Sequence, residues 1–256
     1  MFKKLTPLKY SVHANLRLLP ITDYGFARSE LIAPIVIDEI ADVAREYPIV
    51  FPKGGKLPVV LMGVNKDNNA YVGVDGQWLA TYIPAHIRHY PLALANVSDQ
   101  AAKGKVDAKN ESRLLVLVDE ESAVLSEGEG QPLFTRDGKL AHASQQLVGL
   151  MEQVQNRVGI TQLMVQAINK AGLLMERSIR IKHEGEAERN VEGVCLIDED
   201  ALNKLDDLAF NKLRKSGALP LVYASLLSWA NLRHGPIGKP QLVPELAVED
   251  EVIRFN

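Results

Sequence analysis

VCLIDEDALNKLDDLAFNKLRKSGALPLVYASLLSW, residues 194–229, passes from strand to helix to helix, and this order decides the fold class. Val194 to Ile197 is an apolar run suited to a buried strand. Asp198 follows as a helix N-cap, and Glu199 and Asp200 place negative charge at the positive end of the helix dipole. The spacing predicts one amphipathic helix up to Gly217, where a glycine stop belongs. A second, apolar helix starts there with Pro220 in its first turn, where the missing N–H matters least. Ser225 and Ser228 share a face of that helix beside Tyr223 and Trp229. No GxSxG elbow surrounds either serine, so helix packing accounts for them.

Outward from this block, Leu173 to Ile181 and Val191 to Ile197 read as the arms of a hairpin around the charged stretch His183–Asn190. In the first half, LPVVLMGV (57–64) and Ala70–Val74 flank a turn-forming Asn65–Asn69 and predict another hairpin. Gln77–Pro84 and ESRLLVLV (111–118) predict further strands, with Ser98–Asn110 as a surface loop. Ile37 to Glu46 predicts a short helix stopped by Pro48. After the Gly-rich stretch Ser126–Gly138 the period changes. Leu147, Leu150, Met151, Val154 and Val158, then Leu163, Met164, Ala167 and Ile168, predict two successive helices or one kinked helix. The tail Gly235–Asn256 reads as mostly extended. The fold class is α+β: a strand-rich N-terminal half (1–130) with a mainly antiparallel sheet, and a helix-rich C-terminal half (138–256) carrying a short hairpin and packed against it as one integrated domain.

Composition narrows the function classes. At 256 residues, 46% hydrophobic and 24% charged, the chain can bury a sizeable core. A net charge of −3 gives no broad attraction for phosphate backbones, so no nucleic-acid partner is expected. Cys195 is the single cysteine, which excludes an internal disulfide and points to a reducing, cytoplasmic setting. The N-terminal stretch lacks the apolar core of a secretory signal, and no window reaches the roughly 18 apolar residues of a membrane span.

Chemistry-bearing residues concentrate in residues 75–91. Trp78, Tyr82, His86, Arg88, His89 and Tyr90 combine aromatic faces, a guanidinium and two imidazoles, a set suited to an apolar group that carries a carboxylate. His86 and His89, three apart, also suggest a metal pair, but they lack the flanking carboxylate of an HExxH site. The acidic triplets Asp119–Glu121 and Asp198–Asp200 follow strand-like runs and read as helix caps. No phosphate-binding loop or dinucleotide fingerprint occurs, and no cofactor is expected.

Three segments carry a family resemblance: EYPIVF (46–51), GQWL (76–79) with Tyr82-Ile83-Pro84 and Arg88, and the block from Ile197 to Ser228. Together they resemble the bacterial SapC family, named for a surface-layer-associated protein, over most of the chain. The resemblance implies a soluble bacterial protein of about this length. It also implies gene neighbourhoods shared with outer-membrane TonB-dependent receptors, halogenase-like flavoproteins and cupin-like proteins, and it brings no catalytic residues. A peptide-uptake permease bears the same letters, but a chain without a membrane span does not suit that role. The first functional expectation is therefore a noncatalytic small-ligand, peptide or protein-partner binding or accessory protein, acting with outer-membrane receptor or surface-layer systems. The alternative is a metal-dependent enzyme using His86 and His89, and a third reading is a homo-oligomer held by an apolar interface.

Overall fold

The computed structural model describes residues 1–66, 68–97, 113–181, 189–238 and 253–254. The expected α+β class holds, with antiparallel sheets in the N-terminal half and most of the helix in the C-terminal half. The strands are β1 (Leu5–Pro7), β2 (Arg17–Leu18), β3 (Ile32–Pro34), β4 (Ile49–Pro52), β5 (Val59–Leu61), β6 (Leu92–Val97), β7 (Arg113–Asp119), β8 (Leu125–Ser126), β9 (Gln131–Pro132), β10 (Leu174–Ile181), β11 (Arg189–Ile197) and β12 (Ile253–Arg254). The helices are α1 (Tyr10–His13), α2 (Ile40–Val43), α3 (Ala85–Arg88), α4 (His142–Lys170), α5 (Glu199–Asn203), α6 (Asp207–Ser216), α7 (Leu219–Ser228) and α8 (Asn231–His234). Two compact units alternate along the chain: Met1, Asp23–Ile87 and Val154–Asn256 form one, and Phe2–Thr22 with Arg88–Gln153 the other.

The first unit is built on a sheet of order β10-β11-β4-β5-β3, with β12 added to β11. The predicted second hairpin forms as β10 and β11, Leu174 opposite Ile197, and β11 then pairs Val194 and Cys195 with Pro52 and Phe51 of β4. One sheet therefore draws strands from both sequence halves. Its core includes Ile49, Phe51, Leu61, Val194 and Leu221, each at most 1% exposed.

Beyond the Cys195–Phe51 pair, Ile49 has no β11 partner in the register, and α7 supplies one. Ser228 Oγ accepts the Ile49 N–H at 2.9 Å and donates to the Ser225 carbonyl, while Ser225 Oγ donates to the Ile49 carbonyl at 3.1 Å. Both serines are fully buried, as their packing role requires. Ser228→Ala leaves a buried N–H without its partner and is expected to cost about 1–3 kcal/mol in urea unfolding, with Ser228→Thr recovering part of the loss.

Asp198 caps α5 by accepting the Ala201 N–H, Gly217 (φ 74°) ends α6, and Pro220 lies in the first turn of α7, all as read from the sequence. The single helix expected between Asp198 and Gly217 is instead two. Asp206 accepts the Ala209 N–H at 2.7 Å and starts α6 afresh, so the chain breaks at Lys204–Asp206. Helix α4 runs unbroken through Gly159. Ala70–Val74 is not the expected strand, because fully buried Asn69 turns the chain there. Its Nδ2 donates to the Ala27 carbonyl and its Oδ1 accepts the Tyr71 N–H. Gln77–Pro84 is also irregular, because a carboxylate takes its amides in place of a neighbouring strand. The expected loop 98–110 lies outside the described residues. Of the tail, Pro236–Gly238 is a 3-10 turn and Ile253–Arg254 a strand.

The second unit holds two three-stranded sheets, β1-β7-β6 and β8-β2-β9, with Leu92, Val118 and Met151 packed together. The Gly-rich stretch after Ser126 thus contributes a strand, β9, paired with β2. The acidic triplet here caps no helix. Buried Asp119 accepts the Lys3 and Lys4 N–H groups and the Tyr90 hydroxyl, which ties down the first strand. Glu120 accepts from the Thr6 hydroxyl, the Lys4 ammonium and His13 Nε2.

The Lys4 hydrogen bond, with those from His13 and Thr6, holds the Glu120 carboxyl down at about 2, well below its ordinary 4.5. A carboxyl with a depressed folded pKa contributes stability above its unfolded value and loses it as pH falls toward the folded one. The urea midpoints of the wild-type chain and Glu120→Gln are therefore expected to differ at pH 7 and to converge between pH 4.5 and about 2.

Candidate functional site

Glu39 closes a 3-10 turn (Ile37–Glu39) and Glu46 follows α2, so both carboxylates leave the same short helical region. Glu46 receives the Thr81 N–H at 2.7 Å and the Tyr82 N–H at 2.8 Å. Glu39, 5% exposed, receives the Ala85 N–H at 2.8 Å, the Tyr82 hydroxyl at 3.1 Å and the Val36 N–H at 3.1 Å. Two side chains thereby fix the backbone from Thr81 to the start of α3.

Aromatic rings hold the other side of this segment. Tyr47, fully buried, stacks on Tyr71 at 4.3 Å between centroids, and its hydroxyl donates to the Tyr82 carbonyl while accepting the Trp78 indole N–H at 2.8 Å. The Tyr71 hydroxyl donates to the Glu46 carbonyl at 2.7 Å. Trp78 meets Tyr24 edge-on at 5.5 Å and lies nearly parallel to Tyr71 at 6.4 Å. Burial pushes the Tyr47 and Tyr71 phenols far up, so both stay neutral and act as hydrogen-bonding rings, not as bases.

Between Tyr71 and Leu79 the chain forms a tight loop. Gly73 donates to the Gln77 carbonyl, Gly76 to the Gly73 carbonyl and Leu79 to the Tyr71 carbonyl, while Arg28 donates to the Gly73 carbonyl at 3.0 Å. Gly76 has φ 81°, and a Cβ there would collide with the Asp23 carboxylate, so only glycine fits. The loop carries its apolar side chains outward, with Val74 82% and Leu79 55% exposed. Asp23 and Asp75 are exposed around it.

The six residues singled out from the sequence divide between the units. Trp78, Tyr82 and His86 belong to the first, and Arg88, His89 and Tyr90 to the second. Trp78 and Tyr82 are half-buried members of the aromatic and carboxylate network, and His86 is half-buried on α3. Arg88 is half-buried at the end of α3. Tyr90 is 2% exposed and donates to Asp119, and both Tyr90 and His89 lie against Phe2. His89 Nδ1 lies 2.6 Å from the Leu92 carbonyl, which can only accept, so that nitrogen carries the proton. Burial lowers the pKa of His89 and favours the neutral ring. Among the described residues, no group of three or more His, Cys, Asp or Glu side chains is placed to hold a metal ion. A separate cavity of about 230 Å³ in the second unit is lined by Ala14, Asn15, Arg17, Glu127 and Pro132, none of them a sequence candidate.

Sequence reasoning gave Glu39 and Glu46 no role beyond the predicted helix from Ile37 to Glu46, and otherwise noticed Glu46 and Tyr47 only within the EYPIVF segment. A SapC family model matches residues 8–234. The chain belongs to the SapC family. Neither a curated protein nor a solved structure matches it. The span matched to SapC contains both carboxylates, the aromatic network and the exposed loop, and it ends before β12. Among the described residues of this SapC chain, no helix is long and apolar enough to cross a membrane.

Proposed function

We propose that the protein is a noncatalytic binding or accessory protein that captures an extended segment of a partner on the loop Gly73–Tyr82. One observation carries this reading: a backbone locked by Glu39, Glu46, Tyr47 and Arg28 displays Val74 and Leu79 to solvent. Rigid loops with exposed apolar side chains suit recognition, because little ordering entropy remains to oppose binding. The carboxylates and phenols of this network are occupied by structural hydrogen bonds, and burial keeps the Tyr47 and Tyr71 phenols neutral, which favours holding a partner over transforming it. Trp78 supplies the aromatic floor. Asp23 and Asp75 favour a basic residue next to the apolar one, so the partner segment pairs an apolar side chain with Lys or Arg. The SapC resemblance suggests that such a partner belongs to an outer-membrane receptor or surface-layer system.

A displayed library of random peptides, selected on the full chain and measured by fluorescence polarisation, tests the proposal. Enriched peptides are expected to combine apolar and basic residues. The Val74→Ser/Leu79→Ser double variant is expected to lose about tenfold or more in affinity, while its unfolding midpoint stays within about 0.5 kcal/mol of wild type. Equal binding by that variant removes the loop from the reading. Peptide cleavage by the purified chain, or binding that requires added zinc or iron, overturns the noncatalytic assignment.

A further inference from the structure

Strand β11 has two different neighbours along one edge. At Val194 and Cys195 it pairs antiparallel with β4, and at Val191 and Glu192 it pairs parallel with Ile253 and Arg254 of β12. Gly193, at φ 74°, stands between the two. The pairing with β10 slips at the same place: Arg177 faces Val194, but Ile179 faces Val191, so Glu192 and Gly193 together oppose Ser178. This is a β-bulge with glycine in the left-handed position, a device that bends a strand and interrupts its ladder.

The bulge also marks where β4 departs. The Gly193 carbonyl accepts the Lys53 N–H at 2.8 Å, after which the chain turns away at Gly54, φ 71°. The Arg189–Glu192 part of β11 would then remain a bare sheet edge, a surface that invites another strand. Val191 is fully buried there, so the edge borders the core. The chain fills it from its far end, and the filling strand runs parallel, which a strand joined by a tight turn cannot do.

We propose that this edge of β11 is a strand-accepting site, that β12 is its resident intramolecular occupant, and that an extended segment of a partner protein displaces β12 by pairing parallel to β11. Main-chain hydrogen bonds supply most of the affinity in such additions, and alternate side chains supply the selectivity. The register defines the selectivity. A residue opposite Val191 shares its core-facing side and is best apolar, and a residue opposite Glu192 is best basic. The resident strand presents this order of residue types, Ile253 then Arg254. A partner segment that pairs with all four residues from Arg189 to Glu192 spans the whole edge that β4 leaves open. A tether gives the resident strand an effective concentration of order mM, which sets the competition a partner must overcome. This site lies on a different edge from the Gly73–Tyr82 loop and stands or falls independently of it.

A fluorescein-labelled peptide with the sequence of residues 250–256, DEVIRFN, is titrated against the wild-type full chain and against full-length Ile253→Pro. Proline is disfavoured inside a paired strand. Amide hydrogen exchange over residues 189–193 is expected to speed up in Ile253→Pro and to slow again when peptide is added. The variant is expected to bind the peptide about tenfold or more tightly than wild type, because its own strand no longer competes, and to ignore the control peptide DEVPRFN. Unchanged exchange in the variant shows that β12 does not guard the edge, and equal affinity for the two peptides shows that no ladder forms. Either result overturns the proposal. A wild-type dimer that dissociates on peptide addition assigns the edge to a second copy and overturns the partner reading.

Discussion

Glu39→Ala is expected to lower the free energy of unfolding by about 3–5 kcal/mol. Three donors, the Val36 and Ala85 N–H groups and the Tyr82 hydroxyl, converge on a carboxylate that is 5% exposed. Truncation leaves them without an acceptor where water has little access, and each stranded donor costs about 1–3 kcal/mol. The sum is discounted because the segment from Tyr82 to Ala85 can relax once its anchor is gone. Glu39→Gln keeps one acceptor oxygen but points an amide at donors, so it is expected to fall between wild type and alanine. Equilibrium urea denaturation followed by tryptophan fluorescence measures both. Trp78 lies in the network that Glu39 braces, so its emission should also shift to the red in the native baseline. A Glu39→Ala chain with wild-type stability would show that the carboxylate is dispensable to the loop.

Tyr47→Ala is expected to cost about 3–5 kcal/mol through the cavity it leaves beside Tyr71. Tyr47→Phe isolates the polar part. It keeps the ring stacked at 4.3 Å on Tyr71 but removes the hydroxyl that links the Trp78 indole N–H to the Tyr82 carbonyl. The expected cost is about 1–3 kcal/mol. Because the lost bonds are those that set the position of Trp78, Tyr47→Phe is also expected to weaken peptide capture more than its stability loss alone accounts for. A phenylalanine variant that is destabilised but binds normally would separate the architecture of the loop from its recognition surface.

The features legible in the sequence are those whose causes are local. Asp198, Gly217 and Pro220 act within one helical turn of themselves, so residue type and spacing reveal them. The serines on α7 were legible as packing groups, although their partner, Ile49, was not. Glu39 and Glu46 were not legible as anchors, because a carboxylate that receives amides 35 to 46 residues away leaves no periodic trace. The same cause misled the strand assignment at Gln77–Pro84: its residue types suit a sheet, but its amides at Thr81 and Tyr82 are claimed by Glu46. Asp119 and Asp198 show the limit of local inference. Each ends an apolar strand run beside further acids, yet one caps a helix and the other binds the amides of Lys3 and Lys4. The 75–91 window read as a single cluster because its residues are close in sequence. The fold assigns its first part to the Glu46 and Tyr47 network and its last part to Asp119 and Phe2.

The pairing of Phe51 with Cys195, and of Ile49 with serines as much as 179 residues further along, sets an order on how the chain matures. During synthesis the second unit has all its residues by Gln153, before any of β10, β11 or α7 exists. Strands β4 and β5 must wait, with Ile49, Phe51 and Leu61 exposed to solvent, until the ribosome has released the segment that covers them. Closing so large a loop before the sheet gains its central pairing makes this step slow, and a chain stalled or truncated before α7 is expected to enter the insoluble fraction.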